Sequence, residues 1–167
     1  MLEHASSKEE KMYFLYELLE NCVGLIFRQP MYADFEHILH TWAKESKPMS
    51  AQMITDLYHT KSAEYFGDSV TMDEYVGHSC FYIPHFYYNY YVYKYTLGMT
   101  VALAIVSRLL SGDTKQKEAY LSFLKSGGSK APVDLLKDAL VNPLEDQLYD
   151  DAFQYFDYIL KQFEELL

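Results

Sequence analysis

Residues 84–110 read PHFYYNYYVYKYTLGMTVALAIVSRLL, and the reading of this stretch decides the fold. Pro84 suits the first turn of a helix, where its missing N–H costs nothing. From Thr96 onward, Leu97, Val101, Ala104, Ile105 and Leu109 recur at helical spacing until Ser111-Gly112-Asp113 stops the pattern. Tyr, Phe and Val also favour strands, so residues 86–95 taken alone could be β. With no turn signal read between the two halves, the pattern predicts one long helix from Pro84 to near Leu110.

Working outward, the rest of the chain has the same character. Met12, Leu15, Leu18, Leu19, Cys22, Val23 and Ile26 form the stripe of an amphipathic helix over Glu9 to Phe27, and Ser7 with Glu10 has capping-box spacing. Pro30 opens a second helix that ends before Ser46 and Pro48, and Ser50 caps a third that ends near Gly67. Residues 66–84 are the least periodic and read as a loop with one turn at Asp73 to Val76. Asp113 caps a helix to Lys125, closed by Ser126-Gly127-Gly128-Ser129, and Pro132 to Leu140 and Leu144 to Leu167 complete an all-α chain of stacked helices, a single helical region over 1–167.

At 167 residues there is enough chain for one domain with a real core. Fourteen Lys and Arg against 24 Asp and Glu give a formal charge of -10, which argues against a phosphate-tracking surface and hence against nucleic acid as a partner. Half of the residues are apolar and 17% aromatic, so the chain can bury enough surface to offset its ordering entropy. Cys22 and Cys80 are too few for a disulfide framework or a four-thiolate metal site, and reduced thiols fit best. The polar N-terminus, Met1 to Lys11, lacks the apolar core of a signal peptide. The longest uncharged runs, Ser79 to Tyr93 and Tyr95 to Ser107, fall short of the ~20 apolar residues that span a bilayer, so a membrane is not expected.

Among residues able to do chemistry, His37 and His40 stand beside Glu36 on a predicted helix. A helical zinc hydrolase needs H-E-x-x-H, with histidines four apart and the glutamate after the first. Glu36-His37-Ile38-Leu39-His40 has the wrong order and spacing, so hydrogen-bonded or solvent-facing structural histidines are expected. No phosphate-binding loop and no G-x-S-x-G is present. The informative segment is Tyr82 to Tyr95, seven tyrosines in fourteen positions. On a continuous helix they would cover every face, so some phenols should be interior and need partners for their hydroxyls. Tyr88, Tyr91 and Tyr95 share one face, with His85 one turn before Tyr88. Either these form an aromatic core helix, or they are a row of donors lining a substrate groove and able to steady an oxyanion.

Ile83-Pro84-His85-Phe86-Tyr87-Tyr88-Asn89-Tyr90-Tyr91-Val92-Tyr93-Lys94-Tyr95 resembles a signature of the oligoendopeptidase F family, of the thimet-oligopeptidase-like group. Ile26-Phe27-Arg28-Gln29-Pro30-Met31-Tyr32-Ala33-Asp34-Phe35-Glu36 and Tyr120-Leu121-Ser122-Phe123-Leu124-Lys125-Ser126-Gly127-Gly128-Ser129 are similar to two further blocks, in the family's order. The resemblance covers essentially the whole chain. It departs near the C-terminus, where Leu140-Val141-Asn142 stands in place of the family's glycine-valine-aspartate.

The resemblance implies a cytoplasmic, all-helical zinc metallopeptidase that cuts oligopeptides within a channel. Its H-E-x-x-H and further glutamate ligand lie upstream of the matched blocks, so the chain is expected to be a C-terminal part that lacks the upstream catalytic segment, binds no zinc alone and is inactive alone. In the whole enzyme it would supply His85 and Tyr88 as catalytic donors, with Tyr91 and Tyr95 holding substrate. His78, paired with Tyr88, is the alternative histidine. Arg28 is expected to brace the interior by pairing with Glu36 or Asp34. The acidic residues from Asp146 to Glu165 read as a solvated helix face. A separated part would also expose apolar surface and self-associate. The rival reading is a catalytically silent helical protein-interaction module in which the tyrosines pack or bind a partner.

Overall fold

A computed structural model describes residues 4–167; residues 1–3, which belong to the polar N-terminal reading, lie outside the described residues. Seven α-helices follow in order: α1 (Lys8–Cys22), α2 (Gln29–Lys44), α3 (Ala51–Phe66), α4 (Tyr93–Leu110), α5 (Thr114–Ser126), α6 (Pro132–Asp138) and α7 (Asp146–Glu164), and no strand occurs among the described residues. The chain divides into two compact units, one formed by Val23–Thr96 and the other by the segment through Cys22 with Leu97–Leu167.

Within the second of these, α1 packs on α7. Leu15, Leu19 and Ile159 are buried together, with Leu18, Tyr155, Phe156 and Phe163 around them. Each such aliphatic side chain contributes about 1.5–3 kcal/mol of transfer free energy. The start of α1 follows its capping signal with one change. Ser7 Oγ accepts the Glu10 N–H at 3.1 Å, but the Glu10 carboxylate returns to the Ser6 N–H at 2.6 Å rather than to Ser7. Asp113 caps α5 by accepting from the Gln116 N–H at 3.0 Å. Behind it, fully buried Gln116 donates to Ala139 O at 2.8 Å, and Arg108 reaches Asp151 at 2.5 Å, Gln116 at 3.2 Å and the Leu140 carbonyl at 2.7 Å. A guanidinium with this many acceptors holds α4, α5, α7 and the loop after α6 in one arrangement.

The Val23–Thr96 unit begins with a π-helical turn, Val23–Arg28, which passes directly into α2 at Gln29-Pro30. Met31, Phe35, Tyr58 and Cys80 form its buried core, flanked by Tyr32, Leu39, Ile54, Leu57, Ile83 and Phe86. Ser50 caps α3 through the Met53 N–H at 3.2 Å, as its position predicts. The aperiodic region after α3 holds two 3-10 segments, Gly67–Ser69 and Val76–Tyr82, and the latter lies against α3. That contact requires glycine at 77, because a Cβ there would stand 2.5 Å from the Thr55 carbonyl oxygen.

One expectation fails. Residues 84–110 do not form one helix: Pro84–Tyr88 is a separate 3-10 turn, Asn89 and Tyr90 adopt φ of 49° and 54°, and α4 starts only at Tyr93. Asparagine tolerates the left-handed region that ends a helical run, and Asn89 is the turn signal the helical reading passed over. The tyrosines therefore do not cover a cylinder, and most of their rings face solvent. The Arg28 pairing also differs from expectation: Asp34 stands 3.0 Å from Lys61 Nζ, and Glu36 turns to Tyr90 and His40.

Candidate functional site

The break at Asn89-Tyr90 folds the Pro84–Tyr88 turn back toward the start of α4. Phe86 anchors the turn from beneath, with ring centroids 5.0 Å from Phe35 and 5.5 Å from Tyr32 on α2. His85 then stacks on Tyr91 at 5.7 Å and 14° and meets the edge of Tyr95 at 5.5 Å. Tyr88 lies T-shaped to Tyr91 at 5.7 Å, as does Tyr91 to Tyr95 at 5.4 Å. Four of the five residues singled out in the sequence thus form one cluster, although the backbone that assembles them is a turn and a helix start rather than a helix face. His78 is placed elsewhere: it is exposed, and its ring lies 6.2 Å from Tyr75.

The hydroxyls can be traced one by one. Tyr87 donates to the Phe81 carbonyl at 3.3 Å, and Tyr90 OH lies 3.5 Å from His37 Nδ1. Tyr95 donates to the Tyr91 oxygen at 3.1 Å and stands 3.4 Å from His85 Nε2. With the Tyr95 hydrogen committed to Tyr91, the His85 contact closes only when Nε2 carries a hydrogen. The Tyr91 oxygen thereby accepts, and its own hydrogen is left for another acceptor. The hydrogen bond to Tyr91 holds the Tyr95 phenol above its ordinary pKa. Lys94 Nζ lies 5.1 Å from the Tyr91 ring centroid, within cation–π range. Within the cluster Tyr88 is 63% exposed and Tyr91 half-buried.

Tyr82 and Ile83, just before the turn, wall a cavity of about 520 Å³ shared with Arg28, Tyr32, Tyr58 and Ser62. Burial, with a hydrogen bond to Tyr32, pushes the Tyr58 phenol far above its ordinary pKa, so it stays neutral. On the other side of the turn, Glu36 accepts the Tyr90 N–H at 2.5 Å while His40 stacks on the Tyr90 ring at 4.5 Å. His37 and His40 are thus partners of a tyrosine. Among the described residues no three or more His, Cys, Asp or Glu side chains converge as a metal-ligand group, so the donor set for a zinc ion does not exist within them.

A family model described as Peptidase family M3 matches residues 2–155. The chain belongs to peptidase family M3. It is 38% identical over its full length to Oligopeptidase PepF of Bacillus subtilis, of which it covers 25%, and 31% identical to Group B oligopeptidase PepB of Streptococcus agalactiae, of which it covers 28%. The crystal structure of oligoendopeptidase-F from Enterococcus faecium superimposes with a TM-score of 0.93 at 34% identity, over 99% of this chain and 32% of that one. The crystal structure of a putative peptidase from Chlamydophila abortus also gives a TM-score of 0.93, at 32% identity, over 100% of this chain and 28% of that one. This M3 chain therefore spans about a quarter to a third of the length of the relatives it matches. The all-α architecture and the resemblance to oligoendopeptidase F both hold. Among the described residues, no helix of this M3 chain is long and apolar enough to cross a membrane.

Sequence reasoning missed Glu36 as a contributor to the tyrosine surface. Its bond to Tyr90 joins residues 54 apart in the chain, and no local pattern signals such a pair.

Proposed function

We propose that this chain is the C-terminal portion of a cytoplasmic, zinc-dependent oligoendopeptidase that hydrolyses short peptides, and that its part is to hold the peptide and stabilise the oxyanion. The observation that supports this reading is the clustering of His85, Tyr88, Tyr91 and Tyr95, joined by the His85–Tyr95–Tyr91 hydroxyl contacts, with Tyr88 exposed. A sealed apolar setting for these phenols would have opposed it. Zinc and the general base are assigned to parts of the enzyme beyond this chain, because the described residues do not assemble a ligand set. On this reading the chain alone is inactive.

The chemistry left to these residues is positioning and hydrogen bonding. A peptide carbonyl is a weak acceptor that becomes a strong one as its carbon turns tetrahedral, so a fixed phenol donor binds the transition state more tightly than the substrate. On this reading Tyr88 and Tyr91 donate to that oxygen or to a neighbouring peptide carbonyl. Tyr95 orients Tyr91 by donating to its lone pair, and His85 contacts the Tyr95 hydroxyl in turn. The cavity at Tyr82 and Ile83, with apolar walls from Met31, Phe66 and Val76, is sized to take a substrate side chain. The chain's many exposed aromatic and aliphatic side chains, Tyr82, Leu167 and Leu144 foremost, support self-association when it is isolated.

The test is turnover of a quenched fluorescent peptide by the full-length polypeptide, with the upstream segment present. Tyr88→Phe is expected to lower kcat by about 100-fold, the usual cost of one oxyanion donor, and His85→Ala by a smaller factor. Parental turnover in both variants would overturn the assigned roles.

A further inference from the structure

Two successive residues with side chains, Asn89 and Tyr90, hold positive φ at the bend that builds the tyrosine cluster. Such a bend persists only where its surroundings over-determine it. The surroundings here come from one face of α2. Glu36, 3% exposed, accepts the Tyr90 N–H through Oε1 at 2.5 Å. His40, one turn later, lies flat on the Tyr90 ring, and His37 Nδ1 meets its hydroxyl. The other carboxylate oxygen, Glu36 Oε2, is buried without a hydrogen-bond partner. His40 Nε2 stands 3.6 Å from the same Oε1, so the Tyr90 N–H is the one short hydrogen bond this buried carboxylate makes, and burying a carboxylate is otherwise costly.

We infer that Glu36 is a positioning residue for the peptidase reaction: through the Tyr90 N–H it fixes the Asn89-Tyr90 bend, and so sets Tyr88 and His85 on the Pro84–Tyr88 turn against Tyr91 and Tyr95. It touches neither substrate nor the reacting atoms. The inference rests on the reading of Tyr88 and Tyr91 as donors. Reach is the operative property. A side chain of glutamate length with an acceptor at its end spans from α2 to the bend, and one a methylene shorter does not. Charge strengthens the bond but does not define the geometry.

The experiment compares Glu36→Gln, Glu36→Asp and Glu36→Ala in the full-length polypeptide, with thermal midpoints and separate kcat and KM on the same quenched peptide. Glu36→Gln keeps an acceptor at the same reach and is expected within about threefold of parental kcat, whereas Glu36→Asp and Glu36→Ala are expected to lower kcat by about 10–100-fold with KM within about threefold. Should Glu36→Ala fail to fold, the Gln and Asp pair still decides. The inference is overturned if Glu36→Asp keeps parental kcat, or if Glu36→Gln loses as much as Glu36→Asp, or if the losses follow the thermal midpoint alone and vanish per folded molecule. Tyr88→Phe and Tyr91→Phe run alongside separate the two levels. If they lose turnover while Glu36→Asp does not, only the positioning role falls; if they too keep it, the donor reading falls with it.

Discussion

Tyr95, in the first turn of α4, donates its phenolic hydrogen at 3.1 Å to Tyr91, which lies just before that helix. That single bond fixes the direction of the local network, because it makes Tyr91 an acceptor towards Tyr95 and leaves its own hydrogen for another acceptor. The role assigned to Tyr95 follows, and it is indirect. Tyr95→Phe should leave the ring packing intact and lower kcat by about 3–10-fold, less than Tyr91→Phe, since Tyr91 keeps its hydroxyl but loses the partner that orients it. Steady-state kinetics on the full-length polypeptide distinguish the two. An effect of Tyr95→Phe equal to that of Tyr91→Phe would mean that Tyr95 acts directly.

Gly77 should be intolerant of any side chain. A Cβ would lie 2.5 Å from the Thr55 carbonyl oxygen, and a backbone atom cannot rotate away. Gly77→Ala is expected to destabilise the Val23–Thr96 unit by about 1–3 kcal/mol, read as a lower urea midpoint with an unchanged slope. A midpoint equal to the parent would mean that the 76–82 segment lies farther from α3.

Leu140 predicts the opposite sign. It holds φ of 61° with its side chain 52% exposed. Left-handed backbone costs a residue with a Cβ about 1–2 kcal/mol, and glycine's extra unfolded-state freedom returns about 0.5–1 kcal/mol of that. Leu140→Gly is therefore expected to stabilise the chain by roughly 0.5–1 kcal/mol. Thermal or chemical denaturation measures it, and a lower midpoint would contradict the assigned strain.

Alkaline pH should weaken the fold before acid chemistry matters to its thiols. Both cysteines are free and buried, and burial raises the Cys22 thiol from its ordinary 9.0 to about 11. The folded state then binds this proton more tightly than the unfolded chain. Its contribution is fully present below the unfolded pKa and is lost as pH rises through the folded one, between pH 9.0 and about 11. Burial raises the Tyr58 and Tyr155 phenols as well, and the same sign extends the loss to higher pH. Urea midpoints from pH 8 to 11 should fall for the parent and fall less steeply for Cys22→Ala. Parallel slopes would contradict the burial of that thiol.

Helices were legible wherever capping and apolar period agreed. Ser50, Asp113 and Pro132 stand where their helices begin, and Gly127, at φ of 51°, stands where α5 ends. Periodicity failed at residues 84–92 because aromatic side chains meet helical and extended patterns equally well there. What decides that stretch is not local. Phe86 docks on Phe35 of α2, and Glu36 of α2 catches the Tyr90 N–H. The tyrosine cluster was therefore readable as a set of residues but not as a geometry. The helical reading groups His85 with Tyr91 on one face, but their rings stack at 5.7 Å because the chain bends between them.

The central claim, that Tyr88 and Tyr91 act on the tetrahedral state rather than merely pack, is tested most directly by comparing two affinities across Tyr88→Phe, Tyr91→Phe and the parent. One is the inhibition constant of a phosphinic peptide, a tetrahedral anionic analogue; the other is KM for the matching substrate. If the phenols serve the developing oxyanion, the analogue's binding should weaken by about the factor lost in kcat/KM, about 100-fold, while KM stays within about threefold. Analogue affinity that holds at the parental value in both variants would contradict the account.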